Sequence, residues 1–322
     1  MIFHNPWDNK KMKVLVTGGA GFIGSHIVEE LQGKAEIVVL DNLRSGYRRN
    51  LDNLECEFVE GDIRDRATVD RAMRGVDYVF HLAALVSVPE SMEKIEECIA
   101  INAQGFVNVL EAAAAAKVKK LCFSTSAAIY GDNPVVPKVE TMLPEPKSPY
   151  AVTKLDGEYY AKMFTLERGL PCACLRYFNV FGPRQDPKGA YAAAVPIFIT
   201  RALAGEDLTI YGDGEQTRDF IYVKDIVAAN RFFAMESNAT GVFNIANGGR
   251  ITIDDLAKTI VDITGSKSRI VHLAERPGDV KHSMACVDKA RAAGYRPKHT
   301  FSEGLAATID FYRRRAAAGG AE

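Results

Sequence analysis

The sequence predicts an α/β fold: a Rossmann-type doubly wound parallel sheet with a smaller α/β C-terminal region. Three features carry the prediction. Short apolar runs alternate with helical patterns over residues 13–176, the rhythm of strand–helix–strand units. The first run, Lys13-Val14-Leu15-Val16-Thr17, stops at glycines that open a helix, as a buried parallel strand does. The second, Glu36-Ile37-Val38-Val39-Leu40, ends in an acid, Asp41.

The first loop is Gly18-Gly19-Ala20-Gly21-Phe22-Ile23-Gly24, and a helical pattern continues through Ser25–Leu31. In this G-x-x-G-x-x-G spacing Gly18 permits a tight turn and Gly21 lets backbone approach a pyrophosphate. Gly24 lets the helix pack close to the sheet. The free N–H groups of the helix start then face phosphates. Glycines alone are ordinary turn chemistry, but the strand–loop–helix setting favours a dinucleotide site. Asp41 suits the two hydroxyls of an adenosine ribose and repels a 2′-phosphate, which favours NAD over NADP. Arg44, Arg48 and Arg49 follow at once, and one of them turned toward a phosphate would weaken that preference.

The third strand is Glu57–Ile63, where Asp62 either reaches the adenine amino group or caps a helix over Arg64–Arg74. The local sequence leaves both open. The fourth, Val76–Ala84, ends in small residues against which a flat cofactor can lie, and His81 within it is expected as a packed core histidine. A long helix is predicted over Ile95–Lys117, with Asn102 in its middle and a five-alanine run suited to close packing. The fifth strand, Lys120–Ser126, ends in the hydroxyls Ser124-Thr125-Ser126. Open α/β sheets bind ligands at the carboxyl ends of their strands, so these hydroxyls face a site.

Ser148-Pro149-Tyr150-Ala151-Val152-Thr153-Lys154 opens the next helix. Tyr150 and Lys154, four residues apart, share one helix face. An ammonium beside a phenol favours the phenolate, so the pair is expected to supply a general base nearer neutral pH. Beyond the strand Cys172–Asn179 the pattern becomes irregular and charged, through Gly182–Gly189, Ala190–Ala204, Tyr211–Phe220 and Arg276–Asp279, as a substrate-binding half would. Residues 12–178 are therefore assigned to the dinucleotide-binding domain, with the catalytic side chains. Residues 179–315 form mainly the substrate region, with segments that can return to the sheet.

Composition excludes several classes. Lys+Arg total 40 against 41 Asp+Glu, a net charge of -1, which gives no reason to expect nucleic acid or an anionic membrane surface. No apolar stretch was found to approach the ~20 residues that span a bilayer. Met1–Lys11 lacks the apolar core of a leader. The 6 cysteines are scattered, without zinc spacing, so no metal is expected and the thiols fit a reducing cytoplasm.

Taken in order, Thr17–Gly24, Asp41, Asp62-Ile63, His81–Ala84, Asn102, Ser124–Ser126, Tyr150/Lys154, Arg176–Asn179, Arg218-Asp219 and Arg276–Asp279 cover nearly the whole chain. Together they resemble the extended short-chain dehydrogenase/reductases that act on nucleotide sugars. Within that family the likeness is strongest to UDP-sugar 4-epimerases. The stretches Arg176–Gly182 and Gly189–Ala193 look most like the UDP-N-acetylglucosamine branch.

The resemblance implies that Tyr150, as phenolate, takes the proton of the sugar 4-hydroxyl while the C4 hydride passes to NAD. Lys154 lowers the tyrosine pKa and holds the nicotinamide ribose, and Ser126 bonds the same hydroxyl. The 4-keto sugar then turns about its pyrophosphate and takes the hydride back on its other face. NAD, regenerated each turn, stays bound. For the cofactor the resemblance implies Gly18, Gly21, Phe22, Ile23, Gly24, Asp41, Asn42, Ser45, Gly46, Asp62, Ile63, Leu82, Ala83, Ala84, Asn102, Ser124 and Tyr177, beside Tyr150 and Lys154. For the substrate it implies Arg218 and Arg276 as the pyrophosphate clamp, Asn179 on the phosphates and Asp279 on the uridine ribose. Ser87, Ala193, Val195 and Ser283 complete that set. A homodimer is implied too, through a four-helix contact of Ile95–Lys117 and Tyr150–Gly169.

Two departures separate the relatives. Dehydratases of this family carry an acid pair just after the active-site hydroxyl, where this chain has Ala127 and Ala128. The Glu usual in UDP-xylose-synthase-type decarboxylases is also missing from this region. Ser283 stands where a bulky tyrosine closes the pocket around the sugar 2-substituent, so both UDP-Glc/Gal and UDP-GlcNAc/GalNAc are expected as substrates. The alternatives are an epimerase of UDP-glucuronate or another nucleotide sugar, and a non-catalytic NAD-binding regulator, which typically loses the Tyr or the Lys.

Overall fold

The structure, a computed structural model, describes residues 11–188, 193–275 and 281–317. Its centre is a seven-stranded sheet. The strands are β1 (Lys13–Thr17), β2 (Glu36–Asp41), β3 (Glu57–Glu60), β4 (Tyr78–His81), β5 (Lys120–Ser126) and β6 (Cys172–Tyr177), joined much later by β11 (Gly241–Ile245). Their order is β3-β2-β1-β4-β5-β6-β11, every pair parallel. The order turns back between β1 and β4, the switch point at which such sheets open a ligand crevice.

Both sheet faces are covered, which is why inner strands such as β1 and β2 are apolar on both sides. Val14 and Val16 of β1 join one core with α1 (Phe22–Glu30) and α8 (Val223–Arg231). Leu15, pointing the other way, joins a second core with α2 (Arg66–Ala72), α5 (Gly105–Ala115) and α6 (Pro149–Glu167). In that second core His81 is 1% exposed, its ring stacked 4.6 Å from Phe106, and Nδ1 sits 2.8 Å from Thr17 Oγ1. It is the packed histidine the sequence predicts.

Two short helices, α3 (Val88–Glu93) and α4 (Ile95–Ile99), precede α5. The predicted long helix is α4 and α5 run together through a wide π turn, Ala100–Gln104, that holds Asn102. At 21 residues, Ile95–Ala115 is long and apolar enough to cross a bilayer, contrary to the sequence expectation. Its apolarity is spread over alanines and polar interruptions rather than gathered in one run. Here it is a core helix, with Phe106, Val109 and Leu110 fully buried.

Much of the remaining chain forms a third core. It gathers β7 (Asn179–Phe181), α7 (Ala194–Ala204), β8 (Leu208–Tyr211), β9 (Thr217–Arg218), β10 (Phe220–Tyr222), β12 (Ile251–Thr252), α9 (Ile253–Thr264), β13 (Ile270–Leu273) and α11 (Phe301–Ala317). Three two-stranded pairs, β7–β10, β8–β13 and β9–β12, frame it. Past residue 178 the chain also lends segments back to the sheet, as the sequence reading allows. It returns to the sheet with α8 and β11, and α10 (Asp288–Ala292) packs there through Ala290.

Candidate active site

Two cavities meet at Val180, which lines both. The larger, about 640 Å³, runs along the carboxyl ends of β1, β2, β4, β5 and β6. The smaller, about 380 Å³, lies in the third core among β7, α7, β8 and β9.

The glycine loop builds one wall of the larger cavity. Gly18 has φ +73°, and a Cβ there would lie 2.7 Å from Ala83 N. A Cβ on Gly24 would meet Gly18 O at 2.2 Å, so the helix–loop approach depends on both glycines. Where α2, α3, α6 and α9 are capped by Asp65, Ser87, Ser148 and Thr252, α1 begins at Gly21 with no side-chain cap. Its first N–H groups are left for a ligand, as phosphates require. The cap of α2 settles the question about Asp62: Asp65, three residues on, does the capping. Asp62 stays on the cavity wall, bonded by Asn42 Nδ2 at 2.8 Å, and Arg64 holds its carboxyl down to about 2.

Asp41 accepts Ala20 N at 2.9 Å and Leu43 N at 2.8 Å, one on each oxygen. It is 8% exposed, and burial pushes its carboxyl up from the ordinary value. Gln185 also borders the cavity, and its Oε1 is buried without a hydrogen-bond partner. An uncapped helix start, a glycine cradle, a strand-end acid and an orphan acceptor fit a dinucleotide.

Ser126, Tyr150 and Lys154 meet at the other end. Ser148 Oγ accepts Ala151 N at 3.2 Å and Pro149 occupies the first helical position, which fixes where α6 starts. Tyr150 N donates to Ser91 Oγ at 3.2 Å. Ser126 Oγ accepts Ala128 N at 3.1 Å, and Ser126 is the group that favours the ionised form of the Tyr150 phenol. Lys154 is 4% exposed, and its Nζ donates to Ser124 O at 2.7 Å.

The pKa directions correct one expectation. Burial raises the Tyr150 phenol, and the relief comes from Ser126. Burial also lowers Lys154 to about 8. The reason is geometric: Nζ lies 5.9 Å from the Tyr150 ring centroid and turns to a carbonyl. Within the protein alone, desolvation outweighs the lysine's pull on the phenol.

Of the residues predicted as cofactor contacts, all line the larger cavity except Asn102. Asn102 is 3% exposed and spent inside the protein: Oδ1 accepts Leu85 N at 2.7 Å, and Nδ2 donates to Leu85 O at 3.0 Å and Thr153 Oγ1 at 3.1 Å. It ties the loop after β4 to α6. Tyr177 lines the cavity while its hydroxyl pairs with Asn230.

Among the predicted substrate residues, Asn179, Ala193, Val195 and Arg218 line the smaller cavity, and Ser126 and Tyr150 the larger. Arg218 Nη1 donates to Thr217 O at 3.0 Å. Ser87 lines neither cavity; its Oγ accepts Glu90 N at 3.2 Å as the α3 cap. Ser283 lines neither, but its N–H donates to Thr217 O at 3.1 Å, which sets it next to Arg218. Arg276 and Asp279, and Gly189–Ala192 of the motif, lie outside the described residues. The sequence reading missed Gln216, which borders the smaller cavity with Oε1 buried and unpartnered. It also missed Tyr47, Gln185, Asp186 and Lys188 on the larger one.

The NAD dependent epimerase/dehydratase family profile matches residues 14–246. This chain belongs to that family. It is an NAD-dependent enzyme of the nucleotide-sugar epimerases and dehydratases, with NAD the cofactor that the larger cavity fits. The structure of a UDP-N-acetylglucosamine 4-epimerase from Methanobrevibacter ruminantium superposes with a TM-score of 0.92 at 42% identity, over 95% of this chain and 99% of that one. A UDP-glucose 4-epimerase from Thermotoga maritima gives 0.90 at 42% identity, over 95% and 100%. A curated UDP-glucose 4-epimerase of Mycolicibacterium smegmatis is 36% identical, over 94% of this chain and 99% of its own length. Similar proteins also include dTDP-glucose 4,6-dehydratases, a uronate decarboxylase and a UDP-glucuronic acid 4-epimerase. The family does not select among these sugars.

Proposed function

We propose that this enzyme is a UDP-hexose 4-epimerase that accepts both the plain and the N-acetylated sugars. The observation that carries the reaction type is the turn after β5. Ser126 caps a 3-10 turn, Ala127–Tyr130, whose first two residues are alanines. Beside the Tyr150 phenol there is thus a hydroxyl and no acid in the place where a dehydratase carries its pair. A site so built moves one proton at one oxygen and has no second acid there to expel water.

Bound NAD supplies the hydride acceptor and donor at the sugar carbon. Tyr150 takes the proton of the 4-hydroxyl and later returns it. Ser126, beside the phenol at the end of β5, is placed to bond the same hydroxyl and keep that proton path short. Lys154, held by Ser124 O, keeps its charge behind the phenol and stabilises it as it ionises. In the smaller cavity Arg218 offers a guanidinium to the diphosphate, and the uncapped start of α7 adds N–H donors.

The N-acetyl reading rests on Ser283, a small side chain next to Arg218. We also read the enzyme as a homodimer: Ile95 and Ile99 stand exposed beside Val152, Tyr159, Met163 and Leu166 of α6. Six free cysteines fit the cytoplasm.

The test is to incubate the protein, without added NAD, with UDP-Glc and separately with UDP-GlcNAc, and to follow anomeric protons by NMR. Galacto signals are expected from both. Ser283→Tyr is expected to abolish turnover of UDP-GlcNAc alone. Equal loss of both sugars would sink the gate, and no turnover of either by the native enzyme would point to the glucuronate reading.

A further inference from the structure

Three arginines follow the acid of β2, and each has the charge to hold a phosphate on the adenosine ribose. Two of them are taken up by rings: Arg48 lies 4.2 Å over Phe58 and Arg49 4.1 Å over Tyr47. Arg44 is the one of the three that lines the cofactor cavity. Its guanidinium is held by two carboxylates from distant helices. Nη2 donates to Glu90 Oε1 of α3 at 2.8 Å and to Glu97 Oε2 of α4 at 3.1 Å, while Nη1 donates to Glu97 Oε1. These three side chains are 28%, 34% and 31% exposed, so the bridge sits at the rim. Nearby Arg64 is closed on Asp62 at 2.8 Å. On its other flank the same loop is tied down by Tyr47, whose hydroxyl donates to Asp186.

We infer that Glu90 and Glu97 set the cofactor selectivity of the cleft by withholding Arg44 from a 2′-phosphate. A 2′-phosphate would have to break both bridges and then face two carboxylates besides Asp41. A 2′-hydroxyl asks for no cation and leaves the bridge closed. This resolves the ambiguity of the three arginines: their number argues for NADP, and their partners argue against it. The inference rests on the NAD dependence of the family and not on which sugar is turned over.

The test is nucleotide exchange on the holoenzyme. Native enzyme and the Glu90→Gln/Glu97→Gln variant are incubated with excess NADP or with isotope-labelled NAD, desalted and extracted, and bound nucleotides are quantified by chromatography. The native enzyme is expected to retain NAD. The double variant is expected to take up NADP roughly tenfold or more above the native level. Adding Arg44→Ala is expected to remove that gain, because the freed guanidinium is what binds the phosphate. Uptake of labelled NAD in the parallel incubations shows that each cleft is intact and exchanges its nucleotide. Glu97→Gln alone, which removes the two-pronged partner, carries the same prediction at a smaller gain. No NADP gain in either glutamine variant, or a gain that survives Arg44→Ala, would overturn the inference.

Discussion

Replacing Glu158 by alanine should be among the most damaging single changes outside the cavities. Glu158 and Arg176 are 5% and 3% exposed. The guanidinium meets the carboxylate two-pronged, Nε to Oε1 at 2.8 Å and Nη2 to Oε2 at 2.6 Å, and Thr125 Oγ1 adds a third bond at 2.9 Å. With the carboxylate gone, Arg176 keeps only the Tyr130 face, 4.8 Å from its Cζ, and its Nη1 already lacks a partner. Removing one side of a buried pair strands the other charge, which costs about 3–5 kcal/mol. Replacing both residues by apolar ones of similar size, as in Glu158→Leu/Arg176→Met, leaves no stranded charge and should recover most of that loss. The assay is urea unfolding of the three proteins at one fixed NAD concentration, comparing midpoints at constant slope. A Glu158→Ala cost below about 1 kcal/mol, or a double variant as weak as the single one, would refute the stranded-charge argument.

Two further outcomes are expected. Lys154, lowered to about 8 by burial, sheds its proton before an unfolded lysine does. Between about pH 8 and the unfolded value near 10.4 the unfolded chain therefore binds more protons, so stability rises with pH there, while turnover that needs the ammonium falls. Lys154→Met should lose both trends, as unfolding at two pH values and a pH–rate profile would show; an unchanged alkaline limb would contradict it. Gly24→Ala places a Cβ 2.2 Å from Gly18 O, a backbone atom that cannot swing away. A cost of about 1–3 kcal/mol and loss of bound nucleotide on gel filtration are expected, and full retention of both would rule out the packing role.

What the sequence made legible was local. Gly18, Gly21 and Gly24 announce themselves because their spacing, strand and helix all fall within one short stretch. Tyr150 and Lys154 do so because one helix turn joins them. What it hid depends on separation. Asn102 carries the family pattern but serves Leu85, 17 residues away, and Thr153, 51 away, and only packing shows that its amide is spent. That burial holds the Tyr150 phenol up within the protein alone was not legible, because charge is visible in a sequence and desolvation is not. By charge alone any one of Arg44, Arg48 and Arg49 could turn toward a phosphate, and only the fold brings Glu90 and Glu97 onto Arg44. Asp62 was the cap the sequence reading weighed, but the helix starts later: Asp65 accepts Ala67 N, and Thr68, three residues on, donates to it.

The late return of β11 to the sheet also shapes the birth of the protein. Strand β6 ends at Tyr177 and its outer neighbour begins at Gly241, 64 residues later (241 − 177). At ribosomal speeds of about 5–20 residues per second, that interval lasts roughly 3–13 s. Throughout it, Cys172-Ala173-Cys174-Leu175 presents an unpaired, apolar, thiol-bearing edge, the kind on which nascent chains stick to one another. In the finished enzyme β11 closes that edge.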